Sequence, residues 1–412
     1  MGDIIASIDI GTSKVCAVIG RMDPSNNNIE ILGKGMSSCS GVKKGIIVNM
    51  DDTAEAIRKS VAQAEEMSNT KVESAYVNII GMHVDIYNNS ASMEINRENR
   101  EITQDDVERL LNAVKNFPIA ENRQIIDIIP KQYILDGYTE ISDPVGMAGL
   151  KLELDADIVA GKITSVQNII KSMQKANINI DGIIVEAMPS SEIYLTQDEK
   201  DMGCILIDVG GGVTDISVFK NNKLLFYDSI PVGGDHITND IAVGLKIAYS
   251  DAEKIKREYG LALSSMIKNN NEFAVNDINA GKRKSIKVSD AVDIIEARVQ
   301  EIFSLSYELL KNADILDNNI AGIVLAGRGI TFIDGSDKVA SEVFNIPARV
   351  SPDSIKGVNE RVYMTAAGLI LYITKMYKGM KYGSKVRTTK QVTEVKKPGI
   401  FKRFIEFISR LF

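Results

Sequence analysis

Short apolar runs joined by small polar tips set the rhythm of this chain. Ile4 to Ile10 is one run and Val15 to Gly20 the next, and Gly11-Thr12-Ser13-Lys14 between them predicts a β-hairpin with a glycine-led tip. A third run, Ile29 to Leu32, follows the Asn26-Asn27-Asn28 turn. From Asp51 the spacing of Ala54, Ile57, Val61 and Ala64 predicts a helix with one apolar face. Roughly 200 residues later the order repeats. Cys204 to Val209 reads as a strand, Gly210 to Thr214 as a glycine-rich tip, Asp215 to Phe219 as the return strand and Lys223 to Val232 as the third strand, with a helix opening after Gly233-Gly234-Asp235. Asp9 and Asp208 stand in the same place, just before each tip. Such a repeat implies two homologous halves whose tips face each other across a cleft.

Residues 83–160 break the pattern. Thr103 and Asp106 form a capping signal for a helix carrying Val107, Leu110, Leu111 and Val114, and the segments 123–135 and 150–159 read as strands, so an inserted α+β subdomain is expected. Further on, Val292, Ile295, Val299, Ile302, Leu309 and Leu310 predict a helix from Ser289 to about Asn312, and just before it the polar, Asn- and Lys-rich stretch 264–287 reads as a mobile loop leading to a strand. The segment 378–397 has almost no large apolar residues and reads as a basic linker; a flexible coil of that length would reach roughly 25 Å.

Composition changes this picture at the C-terminal end. The formal charge of the 412 residues is −7, but from Lys375 onward eleven Lys/Arg meet only Glu394 and Glu406, so the tail is +9 and the rest −16. An acidic body with a basic, Phe-rich end suggests two environments for one molecule, and no nucleic acid is expected as a partner. Placed about 100° apart, Ile400, Phe401, Phe404, Ile405, Phe407, Ile408, Leu411 and Phe412 fall on one helix face, with Lys402, Arg403, Glu406, Ser409 and Arg410 opposite. At about 21 Å such a helix is too short to cross a bilayer and would lie in its interface, drawn to anionic lipid by its basic flank. Docking on its own domain or on a partner is the alternative. Three scattered Cys and two His offer no zinc or iron–sulfur spacing, and the cysteine count with no leader-type start points to a reducing cytosol.

The tips hold the candidate chemistry. Glycine with Ser or Thr presents backbone N–H groups without obstruction, as phosphate oxygens require. Two such tips could grip a polyphosphate from both sides while Asp9 and Asp208 hold Mg²⁺ through water. No Gly-x4-Gly-Lys-Ser/Thr run occurs, which argues against a P-loop enzyme.

Ile8-Asp9-Ile10-Gly11-Thr12-Ser13-Lys14-Val15-Cys16, the stretch Ile207 to Ile216, Asp143-Pro144-Val145-Gly146-Met147, Pro231 to Asp240 followed by Asp251 to Gly260, Val324-Leu325-Ala326-Gly327-Arg328-Gly329 and Ala367-Gly368-Leu369 resemble the motifs of the actin-like ATPases and, within them, of the FtsA family of bacterial division proteins. The resemblance covers nearly the whole chain. It implies an α/β, duplicated actin-like (ribonuclease H-like) ATPase fold with an inserted α+β subdomain. The first half would be 1–82, 161–200 and 361–377, the insertion 83–160, the second half 201–360, then the linker 378–397 and the membrane-targeting helix 398–412.

By the same resemblance, Asp9, Gly11, Thr12, Ser13 and Lys14 form the first phosphate clasp and Asp208, Gly210, Gly211, Gly212, Val213 and Thr214 the second. Gly233, Gly234 and Asp235 lie beneath the sugar, and Gly327, Arg328 and Gly329 form the adenosine motif, in which Arg328 replaces a usual glycine. Glu253 and Lys256 match adenosine-facing positions, although Ser250-x-x-Glu253 is also a capping box and Lys256 can equally be a solvated neighbour. Glu186 matches a residue that orients water for hydrolysis, or is an ordinary polar residue. The cofactors implied are ATP and Mg²⁺, with at most slow turnover.

The partners implied are a second copy of the chain in a filament, the C-terminal tail of the tubulin-like FtsZ against the helix 289–312 with Arg298 and Glu301 as contacts, later division proteins through 83–160, and anionic lipids. The implied place is the cytoplasmic face of the cell membrane at the septum. A pilus-assembly or cell-shape relative, a small-molecule kinase and a chaperone-like ATPase remain as alternatives.

Overall fold

A computed structural model describes residues 3–23, 28–276, 282–316, 319–354, 356–376 and 386–388. Two five-stranded sheets share one topology. In the first half the spatial order is Ile29–Ser38, Lys14–Met22, Ile5–Ile10, Ser74–Ile79, Asn179–Val185; in the second it is Lys223–Ile230, Thr214–Lys220, Cys204–Val209, Gly322–Ala326, Ala348–Val350. Each hairpin is antiparallel, and each central strand then pairs in parallel with a later strand. Both central strands are almost wholly buried, which is why they read as continuous apolar runs.

The helix Met50–Ser68 buries Ala54, Ile57, Val61 and Ala64 as its spacing predicts. Asn49 caps its start by accepting from the amides of Asp51 and Asp52, and Asn69, at φ 52°, turns the chain out of it. The C-terminal helix Met364–Met376 closes the first half against Ala187–Tyr194. A Cβ on Gly368 would lie 2.5 Å from the Pro189 carbonyl, so only glycine permits that approach. Where the chain crosses between halves, Arg349 pairs with Glu199 at 2.6 Å and Lys200 with Glu192 at 2.6 Å, and Lys375 and Lys356 also bind Glu192.

The insertion builds a four-stranded antiparallel sheet in the order Tyr138–Ile141, Arg123–Leu135, Lys151–Lys162, Val84–Glu94, with the helix Gln104–Val114 over one face. Leu152, Leu154, Ala156 and Ile158 alternate into a core of their own with Val107, Leu110 and Val114. The capping box forms: Thr103 Oγ1 accepts from the Asp106 amide, and Asp106 accepts from the Thr103 amide.

Two expectations are corrected. The segment 264–287, expected as a loop leading to a strand, holds two paired strands, Glu272–Asn276 with Arg283–Lys287, because Phe273, Val275 and Ile286 supply an apolar face within the polar stretch. The linker is not structureless throughout: Val386–Thr388 pairs antiparallel with Thr70–Val72. The remainder of 378–397 and the segment 398–412, including every membrane-facing residue named above, lie outside the described residues. Among those described, no helix is long and apolar enough to cross a membrane.

Candidate nucleotide site

Two hairpins bring their tips together. In each, the first tip residue donates its amide to the carbonyl three positions on: Gly11 to Lys14 at 3.0 Å, Gly210 to Val213 at 2.9 Å. The tips touch, since a Cβ on Gly212 would sit 2.6 Å from Thr12 Cγ2 and one on Gly211 3.0 Å from Ser13 Oγ. Glycine at the second tip therefore lets the side chains of the first occupy the gap.

The second tip rests on two further glycine turns. The amides of Gly234 and Asp235 donate to the carbonyls of Gly210 and Gly211 at 2.9 and 2.8 Å, and the Gly329 amide donates to Val209 at 2.7 Å. Gly327, at φ 84°, has no room for a Cβ, which would meet Asp208 Oδ1 at 2.3 Å. Gly233 donates its amide to His236 Nδ1, which caps the helix Gly234–Gly244. The Thr214 hydroxyl is turned inward and donates to the Val232 carbonyl at 2.7 Å, while Val213 is buried.

Carboxylates collect behind the tips. Asp9 and Asp208 are buried. Asn78 joins Asp9 to Glu186, donating to Asp9 Oδ1 at 2.9 Å and to Glu186 Oε2 at 2.7 Å, while its own carbonyl oxygen accepts from the Ile10 amide. Asp215 accepts from Ser229 at 2.6 Å, from Tyr227 at 2.9 Å and from the Gly81 amide at 3.2 Å. Burial pushes Asp9 up to about 6 against the pull of Lys14. Burial, then the charges of Asp215 and Asp9, raise Asp208 to about 7. Burial followed by the charges of Asp215, Asp9 and Asp208 lifts Glu186 well above the usual carboxylate range. Lys14, itself lowered by burial, is the tip's cation. Such an excess of buried negative charge suits a cation.

Lys256 is buried beneath the glycine turn, its Nζ bonded to the Gly234 carbonyl at 2.9 Å, Thr238 Oγ1 at 2.6 Å and Glu253 at 2.7 Å. Glu253 also accepts from Thr238 and Arg257. The capping-box alternative for Glu253 fails, because the helix starts at Tyr249 after Ala248, with Ser250 already inside it and no side-chain cap. Arg328 lines a cavity of about 270 Å³ with Arg257, Thr331, Phe332, Asp353 and Arg361. Arg298 and Glu301 lie apart from the site on the helix Val288–Asn312, where Arg298 bridges Asp240 and Glu301 at 2.5 Å each.

Asn78 and Asp215 belong to the site although neither stands out in the sequence. A lone Asn in the run Ala75-Tyr76-Val77-Asn78-Ile79, and the register that sets Asp215 opposite Asp208, were the available signals.

Comparison with known proteins adds to this geometry. The family description "Cell division protein FtsA" matches residues 205–368, and "SHS2 domain inserted in FTSA" matches 81–160. Cell division protein FtsA of Bacillus subtilis (strain 168) is 34% identical over 386 residues, 93% of this chain and 87% of its own. That of Borreliella burgdorferi is 34% identical over 414 residues, 98% of this chain and 99% of its own. Among solved structures, the PilM-PilN type IV pilus biogenesis complex gives a TM-score of 0.56 at 13% identity, covering 89% of this chain and 97% of that one. MreB 5 of Spiroplasma citri bound to AMPPNP gives 0.52 at 17%, covering 92% and 98%. At these identities the structural likeness bears on the fold alone.

Proposed function

The chain belongs to the FtsA family of cell division proteins and has its duplicated actin-like fold with the inserted subdomain, and from that premise we propose that it binds ATP with Mg²⁺ between the two tips, polymerises on the inner face of the cytoplasmic membrane and tethers FtsZ filaments there, helping to assemble the division ring. The support for the nucleotide part is the facing of two glycine-led tips over buried carboxylates of raised pKa with Lys14 among them. Asp9 and Asp208 would hold Mg²⁺ through water. Mg²⁺ keeps most of its waters and takes phosphate oxygens, so two carboxylates acting through water are enough to hold it. When bound, Mg²⁺ would neutralise charge on the β- and γ-phosphates.

This chain's own groups divide the remaining work. Thr12, Ser13, Lys14 and the amides of Gly211 and Gly212 hold phosphate, with Gly210, whose own amide closes the turn on Val213, shaping the tip; Gly233, Gly234, Asp235, Gly327, Arg328 and Gly329 frame the sugar and base. Glu253 and Lys256 support that frame from below. Glu186, oriented by Asn78, is the residue placed to position water, and turnover is slow, so ATP acts chiefly as a conformational ligand. The helix Val288–Asn312 receives the FtsZ tail, an incoming carboxylate replacing Asp240 or Glu301 on Arg298. Residues 398–412 bind anionic lipid, and polymerisation multiplies that weak grip. The inserted subdomain serves subunit contacts and later division proteins.

Liposome co-sedimentation of FtsZ with the intact protein and with 398–412 deleted tests the tether. FtsZ should pellet with vesicles containing anionic lipid only when the intact protein is present; recruitment unaffected by the deletion would overturn the mechanism.

A further inference from the structure

The turn Gly81–His83, between the first-half strand Ser74–Ile79 and the inserted strand Val84–Glu94, touches three bodies at once. Toward the second half, the Gly81 amide donates to Asp215 Oδ1 at 3.2 Å and the Met82 amide to Ser229 Oγ at 3.0 Å. A Cβ on Gly81 would meet Ser229 Oγ at 2.6 Å and the Asp228 backbone at 2.7 Å, so this turn lies hard against the strand Lys223–Ile230. Toward the first tip, buried His83 bonds through Nε2 to the Gly45 carbonyl at 2.8 Å. A carbonyl only accepts, so Nε2 carries the proton, and Nδ1 is left without a partner. The Gly45 amide in turn donates to Thr12 Oγ1 at 3.1 Å. Toward the insertion, the His83 carbonyl accepts from Arg123 Nη1 at 3.3 Å, and Arg123 is fixed by Asp85 at 2.6 Å.

From this juxtaposition we infer that Gly81–His83 couples the nucleotide site to the inserted subdomain: tip separation set by the ligand moves Gly45 and Asp215, and the turn passes that movement to Arg123. The inference rests on the nucleotide reading above. A change in tip spacing cannot leave the turn in place, because its bonds run to Thr12 through Gly45 on one side and to Asp215 on the other. Nor can the turn shift without moving Arg123, whose guanidinium is held by both the His83 carbonyl and Asp85. His83 and Arg123 are positioning residues: neither reaches the phosphate pocket itself.

The test uses the full chain with spin labels at Lys59→Cys on the first half and Tyr138→Cys on the insertion, both highly exposed, while the native cysteines are buried. Adding Mg²⁺ with AMPPNP should move the distance distribution by about 2 Å or more. His83→Leu and, independently, Arg123→Ala should lose most of that shift while AMPPNP affinity by calorimetry stays within about threefold; His83→Gln, whose amide can still donate to Gly45, should retain it. An unchanged shift in Arg123→Ala, or a full shift in folded His83→Leu, overturns the coupling, as does binding without any shift in the unsubstituted chain. Absence of AMPPNP heat in the unsubstituted chain overturns the nucleotide reading and the coupling together, and calorimetry separates that failure from the others.

Discussion

The two tips have one backbone and different chemistry. Register and turn bonds align Gly11 with Gly210, Thr12 with Gly211, Ser13 with Gly212, Lys14 with Val213 and Cys16 with Asp215. The first tip brings hydroxyls and a cation; the second brings bare backbone and an extra carboxylate. Had both tips kept side chains, Thr12 and Ser13 would collide with their counterparts at the contact that Gly211 and Gly212 now permit. The two halves thus share one turn geometry, and their chemical asymmetry lies in which tip carries glycine where the other carries Thr and Ser.

The largest effect is expected of Gly212→Val. Its side chain would drive into Thr12 and part the tips, lowering AMPPNP affinity roughly 100-fold, about 2.7 kcal/mol by titration calorimetry; native affinity would mean that the tips do not close on the ligand. Lys14→Ala should cost roughly 10- to 50-fold. Adding Val213→Lys to it restores the charge on the wrong tip and should recover little, whereas full recovery would show the tips to be interchangeable.

The carboxylates titrate with a definite sign. Folding raises Asp9 to about 6 and Asp208 to about 7, above their unfolded values, so the nucleotide-free protein has their stabilising contribution in full below the unfolded range and loses it as pH rises through 6 to 7. Chemical denaturation should therefore find it more stable near pH 5 than near pH 8, by roughly 4 kcal/mol from these two groups together. Asp127, raised by burial to about 7 within the insertion, acts with the same sign, so Asp127→Asn is the background for the measurement. Stability that climbs with pH across this window would contradict the burial of these groups. The smallest effect belongs far from both tips: Thr103→Ala removes a helix cap, costing about 1 kcal/mol in the insertion, seen by hydrogen exchange, with AMPPNP binding untouched.

The duplicated hairpins, the insertion and the helices Met50–Ser68 and Val288–Asn312 were legible because each is encoded in short windows by periodicity and glycine placement. The helix read as starting at Ser289 begins at Val288, and the strand read as 150–159 runs over Lys151–Lys162. What escaped was assembled across distance. Asn78 acquires meaning only when parallel pairing sets its strand between Asp9 and Glu186. Local spacing allows Ser250 as a cap, yet the chain enters the helix two residues earlier, with Ala248 at the cap position. Nothing in its local sequence sets His83 apart, and its contacts with Gly45 and Arg123 join segments some 40 residues to either side. The Val386–Thr388 strand has too little apolar character to announce itself; its partner edge selects it.

That last pairing has a geometric consequence for any surface the tail rests on. Measured from the end of the closing helix at Met376, the 22 residues to Pro398 could extend about 75 Å, enough to let the body tumble freely above a membrane. Stitched to Thr70–Val72, the chain is left with ten residues beyond Thr388, at most about 35 Å of contour. Were a lipid surface to hold residues 398–412, it would have to lie within that radius of one flank of the first half, and a three-residue stitch would then restrict which side of the protein, and of any filament it formed, faced that surface.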